Sequence, residues 1–316
     1  METVNQVLPL ACELGEGCVW DQENQSLYFV DITSCMVYRL RTEDNHLASR
    51  RLPGPVGCVV PEVSGGIIAA SGHSLYYLDK DLEREEVGIL PLVFSDTLRF
   101  NDGKCDPWGC LWLGTMAGDQ SREEAYGEGS LLCIKDLQLI SEYSGYTIPN
   151  GMAWSADRGT FYHIDTRLQR VDRYDVEGRG KISGRRTAVS VPEEDGSPDG
   201  MCMDCQGNLW IAMWGAGKAA CYSPDTGQKL CEIPVPARNV SCVTFGGPDL
   251  QTLYITTAKD QEGHGGGLYS VRVPVKGLPA FVYKQGKSPS QSWAEMGGKS
   301  PSQHTAERGK KEGRRE

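Results

Sequence analysis

Ser26-Leu27-Tyr28-Phe29-Val30-Asp31 decides the fold, because the chain returns to it. A small or polar residue, a leucine or its equivalent, an aromatic and an apolar residue recur at Ser74-Leu75-Tyr76-Tyr77-Leu78-Asp79, Cys110-Leu111-Trp112-Leu113, Thr160-Phe161-Tyr162-His163-Ile164-Asp165, Asn208-Leu209-Trp210-Ile211-Ala212 and Thr252-Leu253-Tyr254-Ile255-Thr256. The second positions fall at 27, 75, 111, 161, 209 and 253, a period of 36–50 residues. Each phrase is short, aromatic-rich and preceded by a turn cluster such as Asp157-Arg158-Gly159 or Gln206-Gly207-Asn208, which reads as a strand after a tight turn. Further short strands follow, as at Val37-Tyr38-Arg39-Leu40 and Leu268-Tyr269-Ser270-Val271. Several strands in each period of ~40–50 residues specify a β-propeller, and six periods specify six blades. The expected fold class is therefore all-β, a six-bladed β-propeller with a disordered C-terminal tail. No sustained 3.6-residue apolar pattern separates the strands, which excludes a (β/α)8 barrel. Val7-Leu8-Pro9-Leu10 is expected to complete the last blade near Leu268–Val273 or Ala280–Tyr283, so that no sheet edge stays open.

Composition bounds the rest. The 316 residues include 38 glycines, consistent with many turns, and the formal charge of −10 argues against a nucleic-acid-binding body. Apolar runs such as Gly66-Ile67-Ile68-Ala69-Ala70 are far too short for a membrane span, and Met1-Glu2-Thr3-Val4 opens no secretory signal. Most of the twelve cysteines sit in apolar runs, as Cys18, Cys58 and Cys242 do, and read as small buried hydrophobes in a reducing cytoplasm. Cys202-Met203-Asp204-Cys205 is a lone pair without the second pair that zinc requires. Residues 1–283 form the propeller domain; residues 284–316 form a low-complexity basic tail in which Lys287-Ser288-Pro289-Ser290-Gln291 returns at Lys299-Ser300-Pro301-Ser302-Gln303. The tail carries eight Lys/Arg against four Asp/Glu, a net of +4, which leaves −14 on the propeller. So few apolar residues cannot offset the entropy of ordering, hence the expectation of disorder.

A second register lies about ten residues upstream of each phrase: Glu16-Gly17-Cys18-Val19, Val56-Gly57-Cys58-Val59, Asn101-Asp102-Gly103-Lys104, Asn150-Gly151-Met152-Ala153, Asp199-Gly200-Met201-Cys202 and Val240-Ser241-Cys242-Val243. These small-residue strands suit the crowded innermost position of a blade, and their starts surround one mouth of the central channel. Glu16, Asn101, Asn150 and Asp199 therefore converge from distant parts of the chain. Any single Asn-Gly or Asp-Gly is an ordinary turn dipeptide; four oxygen-bearing side chains at equivalent repeat positions are a site. Two carboxylates and two amides suit one hard divalent cation, Ca²⁺, Mg²⁺ or Mn²⁺, with Zn²⁺ the less natural occupant.

Other chemistries find no support. No Gly-x-Ser-x-Gly elbow or EF-hand loop occurs, the Gly-Lys-Ser triplets at 286–288 and 298–300 lack the earlier P-loop glycine, and the five histidines lack ligand spacing. His163, inside a strand phrase, reads as packing.

Gly15-Glu16-Gly17-Cys18-Val19-Trp20, Arg99-Phe100-Asn101-Asp102-Gly103-Lys104, Gly114-Thr115-Met116, Asn150-Gly151-Met152-Ala153-Trp154-Ser155, Pro198-Asp199-Gly200-Met201 and Phe245-Gly246-Gly247-Pro248, in this order, resemble the senescence-marker-protein/gluconolactonase family, which includes regucalcin and the luciferin-regenerating enzyme. The resemblance implies a six-bladed propeller holding one divalent metal in its channel and opening sugar lactones. It assigns metal ligation to Glu16, Asn150 and Asp199, and substrate contact to Arg99 and Asn101. Asp119 stands nearest to a glutamate that contacts the sugar in family members, and Gln120–Tyr126 is a candidate lid. Gly17-Cys18 departs from the commoner Ser-Pro after the ligand glutamate. The implied reaction is attack of a metal-activated water on a lactone carbonyl, with Asp199 as general base. The resemblance equally admits a calcium-binding regulator without major turnover, or a luciferin-regenerating or ester hydrolase. The expected partner is a small-molecule sugar lactone, with no nucleic acid and no membrane, acting on a cytoplasmic monomer or weak dimer.

Overall fold

The computed structural model describes residues 3–83, 85–89 and 95–285. The tail expected over 284–316 lies outside them from residue 286 on. The strands in chain order are β1 Asn5–Leu8; β2 Gly15–Asp21, β3 Ser26–Asp31, β4 Met36–Arg41, β5 His46–Arg51; β6 Val56–Pro61, β7 Ile67–Ser71, β8 Ser74–Leu78, β9 Glu85–Ile89; β10 Leu98–Cys105, β11 Leu111–Ala117, β12 Gly129–Lys135, β13 Gln138–Tyr146; β14 Pro149–Trp154, β15 Thr160–Asp165, β16 Arg170–Gly178, β17 Lys181–Ser190; β18 Ser197–Met203, β19 Leu209–Trp214, β20 Lys218–Tyr222, β21 Lys229–Pro234; and β22 Asn239–Gly246, β23 Thr252–Ala258, β24 Leu268–Arg272. They form six four-stranded antiparallel sheets. The first strands β2, β6, β10, β14, β18 and β22 touch in a ring, β22 returning to β2, and are almost wholly buried. The chain is a six-bladed propeller.

β1 closes the ring by pairing with β24, Asn5 opposite Ser270 and Leu8 opposite Leu268, as the edge argument requires. The segment after β24 serves elsewhere. It crosses the end of the channel opposite the Glu16 mouth, where Leu278 N donates to Met203 O (3.0 Å), Tyr283 N to Pro61 O (2.8 Å) and Lys284 N to Gly109 O (3.1 Å), with Tyr283 fully buried.

The recurring aromatics fill the wedges between blades. Trp112, Trp154 and Phe161 share one cluster between blades three and four, and Trp210 and Phe245 share another between blades five and six. Removing a side chain of the size and burial of Trp112 costs about 3–5 kcal/mol. In blades three and five the turn before the phrase is clamped by an aspartate. Asp106 Oδ2 accepts from Trp112 Nε1 and Asp204 Oδ2 from Trp210 Nε1, both at 3.0 Å, while their Oδ1 atoms accept turn amides.

One repeat is displaced from its expected place. Ser74-Leu75-Tyr76-Tyr77-Leu78 is the third strand of blade two; the second is Ile67-Ile68-Ala69-Ala70-Ser71, which has no aromatic. Its turn is built on Gly65-Gly66, and the Tyr77 hydroxyl occupies the space where a Gly66 Cβ would sit. The aromatic signal has moved one strand outward.

Candidate metal centre and substrate cavity

Each first strand slips register at the same place: between Glu16 and Val19, Val56 and Cys58, Phe100 and Gly103, Pro149 and Met152, Pro198 and Met201, and Val240 and Cys242. A bulge breaks the alternation of side chains and re-aims them. Glu16, Asn101, Asn150 and Asp199 are the residues it re-aims, and all four are buried against one cavity of about 330 Å³. The glycines beside them are sterically required. A Cβ on Gly151 would lie 2.5 Å from Asp199 O, and Gly17 adopts φ +56°, a region open to glycine.

A directed chain of hydrogen bonds crosses the mouth. Arg99 Nη1 donates to Asn101 Oδ1 (2.8 Å) and Phe100 O (2.9 Å). Asn101 Nδ2 donates to Asn150 Oδ1 (2.8 Å) and Pro149 O (3.0 Å). Asn150 Nδ2 donates to Thr166 Oγ1 (2.8 Å), which donates to Pro198 O (2.9 Å). This polarity fixes the Asn150 amide, its oxygen turned to Asn101 and its nitrogen to Thr166. Asp31 and Asp165 hold the strand starts. Asp31 accepts the amides of Glu13 (2.9 Å) and Leu14 (3.1 Å) just before Glu16, and Asp165 those of Thr147 and Ile148 (both 2.9 Å) just before Asn150.

The electrostatics are strained. The buried carboxyls of Glu16 and Asp199 act on each other, and both are held well above the ordinary carboxylate range, chiefly by burial and then by neighbouring acids. Asp102, in the same bulge as Asn101, is buried and adds a third negative group; burial raises its own pKa as well. Lys104 acts on Asp102, and Arg99 on Glu16 and Asp199; burial lowers the Arg99 pKa despite those two acids. Asp199 Oδ1 is buried with no hydrogen-bond partner. Buried like charges and an orphaned carboxylate oxygen are costly unless a cation resolves them. Glu16, Asn150 and Asp199 thus fit a hard divalent cation. Asp106, Cys110 and Cys133 also cluster, but both Asp106 oxygens are committed to the turn of blade three.

Asp119 is not brought to the cavity. It is exposed, and its Oδ1 accepts from Ser121 N (2.9 Å) and Ser121 Oγ (2.6 Å), so the short side chain caps the local turn instead of reaching the mouth. The Gln120–Tyr126 segment lines an adjoining cavity of about 580 Å³ together with Thr147 and Arg167. The main cavity is lined instead by Ile32, Met116, Thr166, Arg167 and Trp214, none of which the sequence reading singled out for the site. Antiparallel pairing puts the end of each second strand beside the start of the first, as in Gly15–Asp31 and Pro149–Asp165. The residues that close the recurring phrase were therefore the available signal.

The family described as SMP-30/Gluconolactonase/LRE-like region matches residues 14–259. The chain belongs to this family. Within it, the chain is 36% identical over 281 residues to the candidate sugar lactone lactonase YvrE of Bacillus subtilis, covering 84% of this chain and 92% of that one. The solved luciferin-regenerating enzyme superposes with a TM-score of 0.82 at 29% identity, covering 89% of this chain and 99% of that one. Regucalcin of Agrobacterium tumefaciens, described as a calcium-binding protein, superposes with a TM-score of 0.80 at 25% identity over 88% and 96% of the two chains. No helix among the described residues is long and apolar enough to cross a membrane.

Proposed function

We propose that this family member is a divalent-cation-dependent hydrolase that opens a sugar lactone to the aldonic acid. The observation that carries the reading is the buried Glu16–Asp199 pair, with Asp199 Oδ1 unpartnered, lining with Asn150 a cavity of about 330 Å³. Similarity to YvrE supports the substrate class, and similarity to a calcium-binding regucalcin supports the cation.

Glu16, Asn150 and Asp199 hold the cation, one of Ca²⁺, Mg²⁺, Mn²⁺ or Zn²⁺. When bound, it polarises an ester carbonyl and acidifies water. Asp199 accepts the proton of the attacking water on the carboxylate oxygen not turned to the cation and delivers it to the ring oxygen as the carbonyl–oxygen bond breaks. Arg99, anchored through Nη1, offers its remaining N–H groups to sugar hydroxyls and the developing oxyanion. Asn101, with both amide hydrogens committed to the protein, presents Oδ1 and keeps Asn150 in place. Trp214 and Arg167 line the wall where substrate sits, and Asp119 takes no part.

The test is hydrolysis of an aldonolactone panel by the purified protein loaded with each cation in turn, against Asp199→Ala. Rates no faster than that control would sink the reading. One observation favours a second: Asp119 is absent from the cavity, so the cation could be held without turnover. Tight Ca²⁺ binding with no lactone opened would select a regulatory calcium-binding protein.

A further inference from the structure

Among the described residues, cysteines neighbour one another at Cys18–Cys242, Cys110–Cys133 and Cys221–Cys231. The first pair spans the seam between blades one and six, the second lies within blade three, and all four of those cysteines are buried. The third pair differs. Cys221 on β20 and Cys231 on β21 stand directly opposite each other in the antiparallel register, and β21 is the outermost strand of blade five. Directly opposed residues place their Cα atoms ~4.5–5.5 Å apart, inside the ~4.4–6.8 Å span a disulfide bridges. The register slips immediately after the pair, between Cys221 and Tyr222, which gives the backbone local freedom. Cys221 is buried, but Cys231 is half-exposed, so a reagent can reach one sulfur and leave the other to resolve. Cys202 and Cys205, the Cys-x-x-Cys pair of the sequence, are unlike this: Cys202 packs between blades five and six, and Cys205 is exposed on a turn.

We propose that Cys221 and Cys231 are a redox-active dithiol, a modification site on the outer edge of blade five that takes small-molecule disulfides. The Cys231 thiolate attacks one sulfur of the reagent, expels a thiol and forms a mixed disulfide. The Cys221 thiolate then attacks Cys231 Sγ and expels the second thiol. The protein loses two electrons and two protons, and the reagent gains both as two free thiols.

The experiment treats the full chain with oxidised glutathione, blocks remaining thiols by alkylation and maps the peptides by mass spectrometry. A Cys221–Cys231 link, lighter by two hydrogens, reversed by dithiothreitol, lost in Cys231→Ser and kept in Cys205→Ser, is the expected result. The proposal is overturned if Cys221 and Cys231 remain alkylatable when Cys205 already carries glutathione, or if the link maps to another pair. Mapping of the unmodified sequence decides the matter even where Cys231→Ser folds poorly.

Discussion

Glu16 and Asp199, on the first strands of blades one and five, bring two buried carboxyl groups to one cavity. Two acids so placed stabilise the fold only when a proton or a cation lies between them. Their raised pKa values favour the protonated form in the native state. Their stabilising effect is fully present below the ordinary carboxylate range and is lost as pH rises through the raised values. Chelated protein is therefore expected to melt at a higher temperature near pH 5 than near pH 8, and the gain on adding Ca²⁺ is expected to be largest at the higher pH. A chelated melting curve that rises with pH contradicts this.

Glu16→Gln and Asp199→Asn remove a buried charge while preserving shape. In chelator each is expected to melt at or above the parent temperature, yet to lose the cation-dependent shift and at least a hundredfold in cation affinity, about 2.7 kcal/mol. Differential scanning calorimetry with and without Ca²⁺ separates the two effects. Parallel loss of both would point to a merely structural role.

Asp165→Ala leaves the buried amide of Thr147 and the part-buried amide of Ile148 without their acceptor. The expected cost is about 2–4 kcal/mol in urea unfolding. Because that turn sets Asn150, cation affinity should weaken as well; a variant that unfolds earlier but binds Ca²⁺ unchanged would show that the clamp does not position the ligand.

Trp214 lines the cavity from the end of β19 without supplying a hydrogen-bonding group to the Glu16–Asp199 pair. Trp214→Ala is expected to raise the KM for a lactone about tenfold with little change in kcat, as loss of a stacking face would. Equal losses in both constants would assign Trp214 to the reacting geometry instead.

His163 is buried against Tyr146 and Phe161, and burial, reinforced by Arg185, lowers its pKa to about 3. A depressed value means its stabilising effect is present above the unfolded pKa of ~6.5 and is lost as pH falls below it. Between pH 7 and 5 the loss amounts to about 2 kcal/mol, and His163→Phe should flatten that part of the acid-unfolding profile.

The repeat of a short aromatic phrase determined the six blades, because only a radial stack of small sheets buries so many equivalent strands. The same register marked Glu16, Asn101, Asn150 and Asp199, since residues at equivalent repeat positions must surround one axis. Where the sequence lost its period, tertiary structure decided. In blade two a Gly-Gly turn moved the aromatic signal to the third strand, and at Asp119 a short side chain satisfied by Ser121 stayed on the surface. Trp214, Thr166 and Arg167 entered the site because antiparallel pairing returns the second strand to the mouth, a fact of register that no local motif carries. Nothing in the local sequence links Cys221 to Cys231; strand pairing sets them face to face. Local chemistry in the sequence chose the blades and the oxygen ligands; the bulges, the register and the burial chose where each side chain points.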